Sequence, residues 1–154
     1  MNFISGLKKS TLCIIICIIS AFIIAAVSWM VKFPGIRRVF MFQSSDSGKI
    51  CMEARYLPVR PVQGRIRMYV DEVLLGPETE HCRPLFSPGT KAVSCFIRKG
   101  VLYVNLSEDV LQESGGASSI REGTKLFRKN ILHNFEQIHT VEVFVGGKQA
   151  YADD

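Results

Sequence analysis

Catalytic hardware is scarce in this chain of 154 residues. Of its three histidines, His133 and His139 are spaced so that they fall on different helix faces or different elements. There is no Cys-x-x-Cys, and the neighbours His81 and Cys82 cannot by themselves make a tetrahedral metal site. No Gly-x-Ser-x-Gly elbow occurs. Gly146-Gly147-Lys148 lacks the spaced first glycine and the following Ser/Thr of a phosphate loop, so it reads as a turn. Asp71-Glu72 and Glu108-Asp109 are adjacent acids, whose side chains diverge on a helix and alternate on a strand. Neither supplies the convergent carboxylates that acid/base hydrolysis needs. The expectation is a protein that is not an enzyme, with no catalytic residue, no cofactor and no metal.

Charge of either sign is missing from Thr11 to Val31. At about 1.5 Å per residue that stretch spans roughly 31 Å as a helix, close to the hydrocarbon thickness of a bilayer. Trp29 sits near one end, where an amphipathic ring suits the headgroup level. Lys8 and Lys9 flank one side; Lys32, Arg37 and Arg38 flank the other. A retained spanning helix is the reading. The alternatives are a cleaved signal peptide with Ala26-Val27-Ser28 as its small-residue site, and a lipid-modified cysteine at Cys13 or Cys17. Counting Lys/Arg at the two ends favours a cytoplasmic C-terminal side.

Acidic residues are few before position 71. Residues 32–70 carry eight Lys/Arg against two Asp/Glu, whereas residues 71–154 carry nine against twelve. The sequence pI near 9.1 therefore reflects a basic neck and not a basic domain, and no nucleic-acid partner is expected. Cys51, Cys82 and Cys95 are odd in number and widely spaced. Buried or free thiols are the expectation for them, with one disulfide among the three as the alternative.

What is present reads as a small α+β domain. Arg37–Phe42 is β-branched and aromatic. Ile50–Leu57 then alternates, with Ile50, Met52, Ala54 and Tyr56 on one side and Cys51, Glu53, Arg55 and Leu57 on the other. The two runs form an antiparallel pair. Between Gly64 and Gly76, five apolar positions (Ile66, Tyr69, Val70, Val73, Leu74) match a helical period and three match a strand, so the segment is read as helix. Val93, Cys95 and Ile97 share a face of the next strand, Arg98-Lys99-Gly100 turns the chain, and Leu102, Val104 and Leu106 share a face of the return strand. A loop follows, opening with one helical turn. Ser119-Ile120-Arg121-Glu122 is a capping box opening the clearest helix. Its apolar stripe is Ile120, Phe127, Ile131, Phe135 and Ile138, with Arg121, Lys125, Arg128 and Lys129 elsewhere. Val141, Val143 and Val145 form the last strand. The expected order is β-β-α-β-β-α-β, with two helices packed on a mostly antiparallel sheet. Residues 1–10 are read as a cytoplasmic tail, 11–31 as the transmembrane helix, 32–36 as a basic neck and 37–151 as the domain.

At this point the string resembles the GerMN domain, named from bacterial sporulation and spore-germination proteins. Val39-Phe40-Met41-Phe42 followed by Glu53-Ala54-Arg55 is similar to that family's opening strand pair. Glu72-Val73-Leu74-Leu75-Gly76-Pro77 is similar to its helix ending in Gly-Pro. Ser87-Pro88-Gly89-Thr90-Lys91 is similar to its Pro-x-Gly-Thr turn. Gly100 to Ser107, closing on Asn105-Leu106-Ser107, resembles its strand ending in Asp/Asn-Leu-Ser, and Val141-Glu142-Val143 with Gly147-Lys148 its final strand. The residues carrying the match are thus Gly76, Pro77, Pro88, Gly89, Thr90, Asn105, Leu106 and Ser107.

The resemblance implies a fold akin to ring-building motifs of envelope machines, with no catalytic residues. With the charge-free run of residues 11–31 as anchor, the expectation is a single-pass protein of the bacterial cytoplasmic membrane. The C-terminal domain would lie outside, where the charge count would place it inside. Its partners would be other envelope or membrane proteins, self-association included. An exposed edge of the first strand near Phe40–Phe42 is one candidate contact, the alternative being that this edge is short, protected and inert. The alternatives are a cytoplasmic-facing adaptor with a lipid-proximal basic neck and a cell-wall-acting enzyme.

Overall fold

The computed structural model describes residues 9–32, 35–112 and 120–150. Two compact units divide the chain, Met1–Gly35 and Ile36–Asp154. In the first, α1 (Lys9–Lys32) is a single helix. Its stretch Thr11–Trp29, with a mean hydropathy of 2.8, is long and apolar enough to cross a membrane. Its large side chains, Ile18, Phe22, Ile24 and Trp29 among them, are exposed. Such a surface is stable in hydrocarbon and unfavourable in water.

β1 (Gly35–Ser44) starts inside the stretch read as a neck and, from Ile36, opens the second unit. The Ser/Asp/Gly loop carries it into β2 (Ile50–Pro58), too short a link for anything but an antiparallel pair. Then come α2 (Arg65–Leu75), β3 (Cys82–Arg83), β4 (Ala92–Arg98) and β5 (Val101–Leu106). A 3-10 turn (Glu108–Leu111), α3 (Ile120–Asn134), β6 (Thr140–Val145) and β7 (Lys148–Gln149) complete it. Ser119, the N-terminal half of the expected capping box, lies outside the described residues.

The architecture corrects the expected single, mostly antiparallel sheet. Among the described residues there are two sheets, of order β2-β1-β3 and β4-β5-β6-β7. In the second, β5 and β6 run parallel, from Val101 opposite Thr140 to Leu106 opposite Val145. The reason is connection length: α3 lies between these strands, and a crossover carrying a helix returns the chain in the same direction. The added strands β3 and β7 have two residues each, too short for an alternating pattern to show them. Gly146-Gly147 is the expected turn and leads into β7.

The α2 stripe reads correctly. Tyr69, Val70, Val73 and Leu74 are buried. They join Phe40 and Phe42 of β1, Leu102, Val104 and Leu106 of β5, Phe127 and Ile131 of α3, and Val141 and Val143 of β6 in one core. Phe135 and Ile138, expected within the last helix, instead follow its end at Asn134 and are buried in the turn to β6. Arg128, expected on the helix's polar face, is buried too, its Nε–H donating to the Val141 carbonyl at 3.0 Å. A bulge between Ala92 and Ser94 breaks the alternation expected of β4, so Ala92 is buried while Val93 is exposed.

Cys51 and Cys82 form a disulfide, which overturns the free-thiol expectation and bears out its alternative. The bond ties β2 to β3 on either side of β1. Cys95 is free and half-buried.

Candidate functional site

Two polar networks and one groove organise the domain around the residues picked out by motif. The first network centres on Arg55, whose side chain is 8% exposed. Of the two faces of β2, the buried one is the face carrying Cys51, Glu53, Arg55 and Leu57, while Ile50, Met52 and Tyr56 are exposed. A charged residue is stable inside only when paired. Arg55 Nη2 donates to Glu53 Oε2 at 2.7 Å and to the Gly76 carbonyl at 2.8 Å, and Nη1 lies 3.5 Å from Glu72 Oε2. The guanidinium also stacks 4.6 Å from the centre of the Phe40 ring.

Glu53 in turn accepts the backbone N–H groups of Glu78 and Thr79, at 3.2 and 2.9 Å. Burial pushes its carboxyl upward in pKa. Hydrogen bonds from the Thr79 side chain, Arg55 and those two backbone groups more than offset this and hold it below the ordinary value. The Glu-x-Arg of β2 and the Glu-x₃-Gly-Pro ending α2 are thus two halves of one contact.

The turn Ser87-Pro88-Gly89-Thr90 stands beside this network. Gly89 has φ +88°, the left-handed value that the third position of a type II turn needs and a side chain resists. Thr90 locks the turn, its backbone N–H and its hydroxyl both donating to the Ser87 carbonyl. Behind it, Leu85 and Phe86 press against α3 at Gly123. A Cβ there would lie 2.3 Å from the Leu85 carbonyl oxygen, so only glycine fits.

A groove of about 420 Å³ opens between the end of α2 and this turn. Pro77, Pro88, Gly89 and Thr90 line it together with Glu78, Glu80 and Lys91. Of the residues picked out by motif, Gly76 stands behind the groove and Leu106 is core. Ser107 is tied to the groove's rim, accepting the Lys91 N–H at its Oγ. Asn105 is elsewhere, on the outer face of the second sheet, where its Oδ1 accepts the Gly147 N–H at 3.1 Å. On that face Phe96, Tyr103 and Phe144 stack in a row with ring centres 5.1 and 6.5 Å apart.

The second network was not anticipated. Asn130 and Asn134 of α3 hydrogen-bond the backbone of β1 on the side that β3 leaves open. Tyr69 Oη donates to the Val39 carbonyl at 2.7 Å and receives the Asn134 Nδ2–H at 2.8 Å. Burial pushes the Tyr69 hydroxyl up in pKa, against the charges of Arg38 and Arg55 and the Asn134 hydrogen bond. This network corrects the expectation that the first strand offers an edge to partners. β1 is the middle strand of its sheet, Phe40 and Phe42 are fully buried, and asparagine amides occupy the backbone groups of Val39 and Met41. The signal was legible only in part: two asparagines at i and i+4 flank the apolar stripe of a helix, but nothing local says what they meet.

Three of the four acids set aside as catalytic candidates have a local partner. Asp71 pairs with Arg67 at 3.1 Å, Glu72 with Arg55, and Asp109 accepts the Ser107 hydroxyl at 2.9 Å. Among the described residues no group of three or more His, Cys, Asp or Glu gathers as a metal site would need.

The family model of sporulation and spore germination proteins, Germane, matches residues 38–151. The chain belongs to the GerMN family. A relative described as an uncharacterized lipoprotein of Treponema pallidum is 27% identical over 115 residues, covering 75% of this chain and 86% of that protein. In fold, the chain is similar to the tandem GerMN domains of the sporulation protein GerM from Bacillus subtilis, with a TM-score of 0.60, 12% identity and 75% of the chain covered. It spans 41% of that tandem protein. Against the first GerMN domain alone the TM-score is 0.58 at 12% identity, covering 75% of this chain and 86% of the domain. The match thus corresponds to one GerMN copy following an apolar N-terminal helix, and the similar proteins are a sporulation protein and an uncharacterized lipoprotein.

Proposed function

We propose that this is a single-pass envelope protein, anchored by α1, whose GerMN domain lies outside the cytoplasmic membrane and works by protein contact and assembly. The observation that carries the reading is the Cys51–Cys82 disulfide in a domain that follows an apolar helix. Disulfides persist in oxidising compartments and are rare in the cytosol, so the bond favours the outside over the inside despite the basic flank of the helix. The lipoprotein relative supports the same compartment. For the mode of action, the support lies in how the motif residues are used. Glu53, Arg55, Glu72 and Gly76 hold two elements together, while Ile50, Met52 and Tyr56 on β2 and Val93, Phe96 and Ile97 on β4 are presented to solvent.

The test is alkylation of intact cells carrying the full chain, with a mass-tagged maleimide under denaturing, non-reducing lysis. The expected result is that Cys51 and Cys82 take up label only after reduction. Labelling of both without reductant would move the domain to the cytoplasm and favour the adaptor.

A second reading has one observation in its favour, the relative's description as a lipoprotein. In it, Cys13 or Cys17 carries the lipid and the segment before it is removed. The intact mass of the membrane-extracted protein separates the two: the anchor keeps residue 1, and the lipoprotein begins at a diacylated cysteine.

A further inference from the structure

The two sheets end differently. Each has an edge strand, but β4 combines a free edge with a groove along it and a charge pattern around it. The closing pair of the β4–β5 hairpin is Arg98 with Val101, across the two-residue turn Lys99-Gly100. In such a hairpin the closing pair is hydrogen-bonded, and bonding alternates along the strand. Ser94, Phe96 and Arg98 therefore turn their backbone groups toward β5, and Cys95 and Ile97 turn theirs outward. Among the described residues no other strand meets this edge. Its first carbonyl, that of Ala92, is taken by Arg67 of α2.

A groove of about 290 Å³ lies between the segment Gln63–Arg67 and this strand, lined by Ile66, Cys95, Phe96, Ile97 and Leu102. Phe96 belongs to one face of β4 and Cys95 and Ile97 to the other, so a groove touching all three borders the edge itself. Its strand-side wall is apolar, while Gln63, Arg65 and Arg67 stand with Ile66 on the other; Phe96 and Ile97 are 55% and 43% exposed. Basic residues border both ends of the strand, Lys91 among them lying alongside Glu78 and Glu80 of the first groove. Lys91 precedes the strand, Arg98 and Lys99 follow it, Arg65 stands exposed on the opposite wall, and residues 91–99 contain no acid. The nearby Asp71 is neutralised by Arg67.

We infer that the β4 edge binds an extended segment of a partner polypeptide by strand addition. That segment is apolar and β-branched at its centre and carries Asp or Glu at both ends. Backbone pairing with Cys95 and Ile97 supplies the registration. One side chain of the segment enters the groove beside Ile66, and its neighbour extends the row Phe144, Tyr103, Phe96 on the outer face. The terminal acids meet Lys91 on one side and Arg98 and Lys99 on the other. A second copy of this chain fits poorly. Antiparallel self-pairing centred on Cys95 would set Lys91 opposite Lys99, like charges at both ends of the joint. This inference rests on the proposal that the domain acts by protein contact.

The experiment uses the full chain in detergent micelles. The probe is an acetylated nonapeptide of alternating valine and threonine with two aspartates at each end, and the control is the same peptide with lysines at the ends. The acid-ended peptide should bind at least tenfold more tightly than the control and slow hydrogen exchange at the Cys95 and Ile97 amides. Ile97→Pro, which removes an outward N–H at an edge where proline is tolerated, should abolish binding without changing the circular dichroism. Should that variant fail to fold, the exposed pair Lys91→Glu with Arg98→Glu should reverse the preference toward the lysine-ended peptide. Binding undiminished in a folded Ile97→Pro chain, equal binding of the two peptides, or a dimer joined through β4 in sedimentation would each overturn the inference. If an envelope protein crosslinks to the full chain in cells equally well with Ile97→Pro, the contact lies elsewhere. In that case the strand-addition inference falls while the assembly reading stands.

Discussion

Asn130 grips Met41 by both of its backbone groups: Oδ1 accepts the Met41 N–H at 2.7 Å and Nδ2 donates to the Met41 carbonyl at 2.7 Å. One turn along α3, Asn134 does the same to Val39, at 3.1 and 2.7 Å. A helix rises about 6 Å over four residues and a strand advances about 6.7 Å over two, so the two amides can act as a surrogate strand. They close the open side of β1 with partners that cannot extend the sheet further.

Asn130→Ala removes both partners from Met41 in a buried position. Leaving two backbone groups unpaired at about 1–3 kcal/mol each should cost about 2–6 kcal/mol in all, read as a lowered urea midpoint with an unchanged slope. A loss below about 0.5 kcal/mol would mean that water replaces the amide and that the edge is not sealed.

Glu53 makes the domain acid-sensitive. Its folded pKa is depressed, so the stability it contributes is complete above the unfolded value of 4.5 and is lost as pH falls through the folded value. Urea midpoints taken from neutral pH downward should hold steady and then fall below about pH 5. Glu53→Gln should start lower and lose part of that acid slope. An unchanged slope in this variant would assign the acid limb to other carboxylates.

Arg55→Ala should be among the most damaging substitutions, because it strands Glu53 and Glu72 without their cation. Breaking a buried pair costs about 3–5 kcal/mol. The double change Arg55→Met with Glu53→Gln should recover part of the loss, and chemical denaturation of the two variants measures how much.

Reduction of the Cys51–Cys82 bond, whose ends are 31 residues apart, should destabilise the domain by about 3–4 kcal/mol. The effect should appear as a lower melting temperature in dithiothreitol, absent in Cys51→Ser. Equal melting with and without reductant would show that the native chain does not carry the bond.

Phe135→Ala should cost about 3–5 kcal/mol, since the ring is 3% exposed and meets Tyr69 edge-on with centres 5.3 Å apart. A shift of only a degree or two in melting temperature would contradict that burial.

Much of this protein is written locally. The charge-free run of α1 needs no partner to be read, because a bilayer tests length and polarity alone. The stripe of α2, the faces of β5 and β6 and the turn at Lys99-Gly100 follow from periods and dihedral preferences that act over a few residues. The order of the family motifs was legible for the same reason. What stayed hidden depends on residues far apart in the chain. That β5 and β6 are parallel is set by how α3 packs. That Glu53 and Arg55 belong inside depends on Glu72 and Gly76 being there to meet them. The pairing of Cys51 with Cys82, the sealing of β1 by Asn130 and Asn134, and the open edge of β4 all express which element ends beside which. Spacing along the chain carries period and propensity, but a buried polar group is stable only where its partner is delivered by the fold.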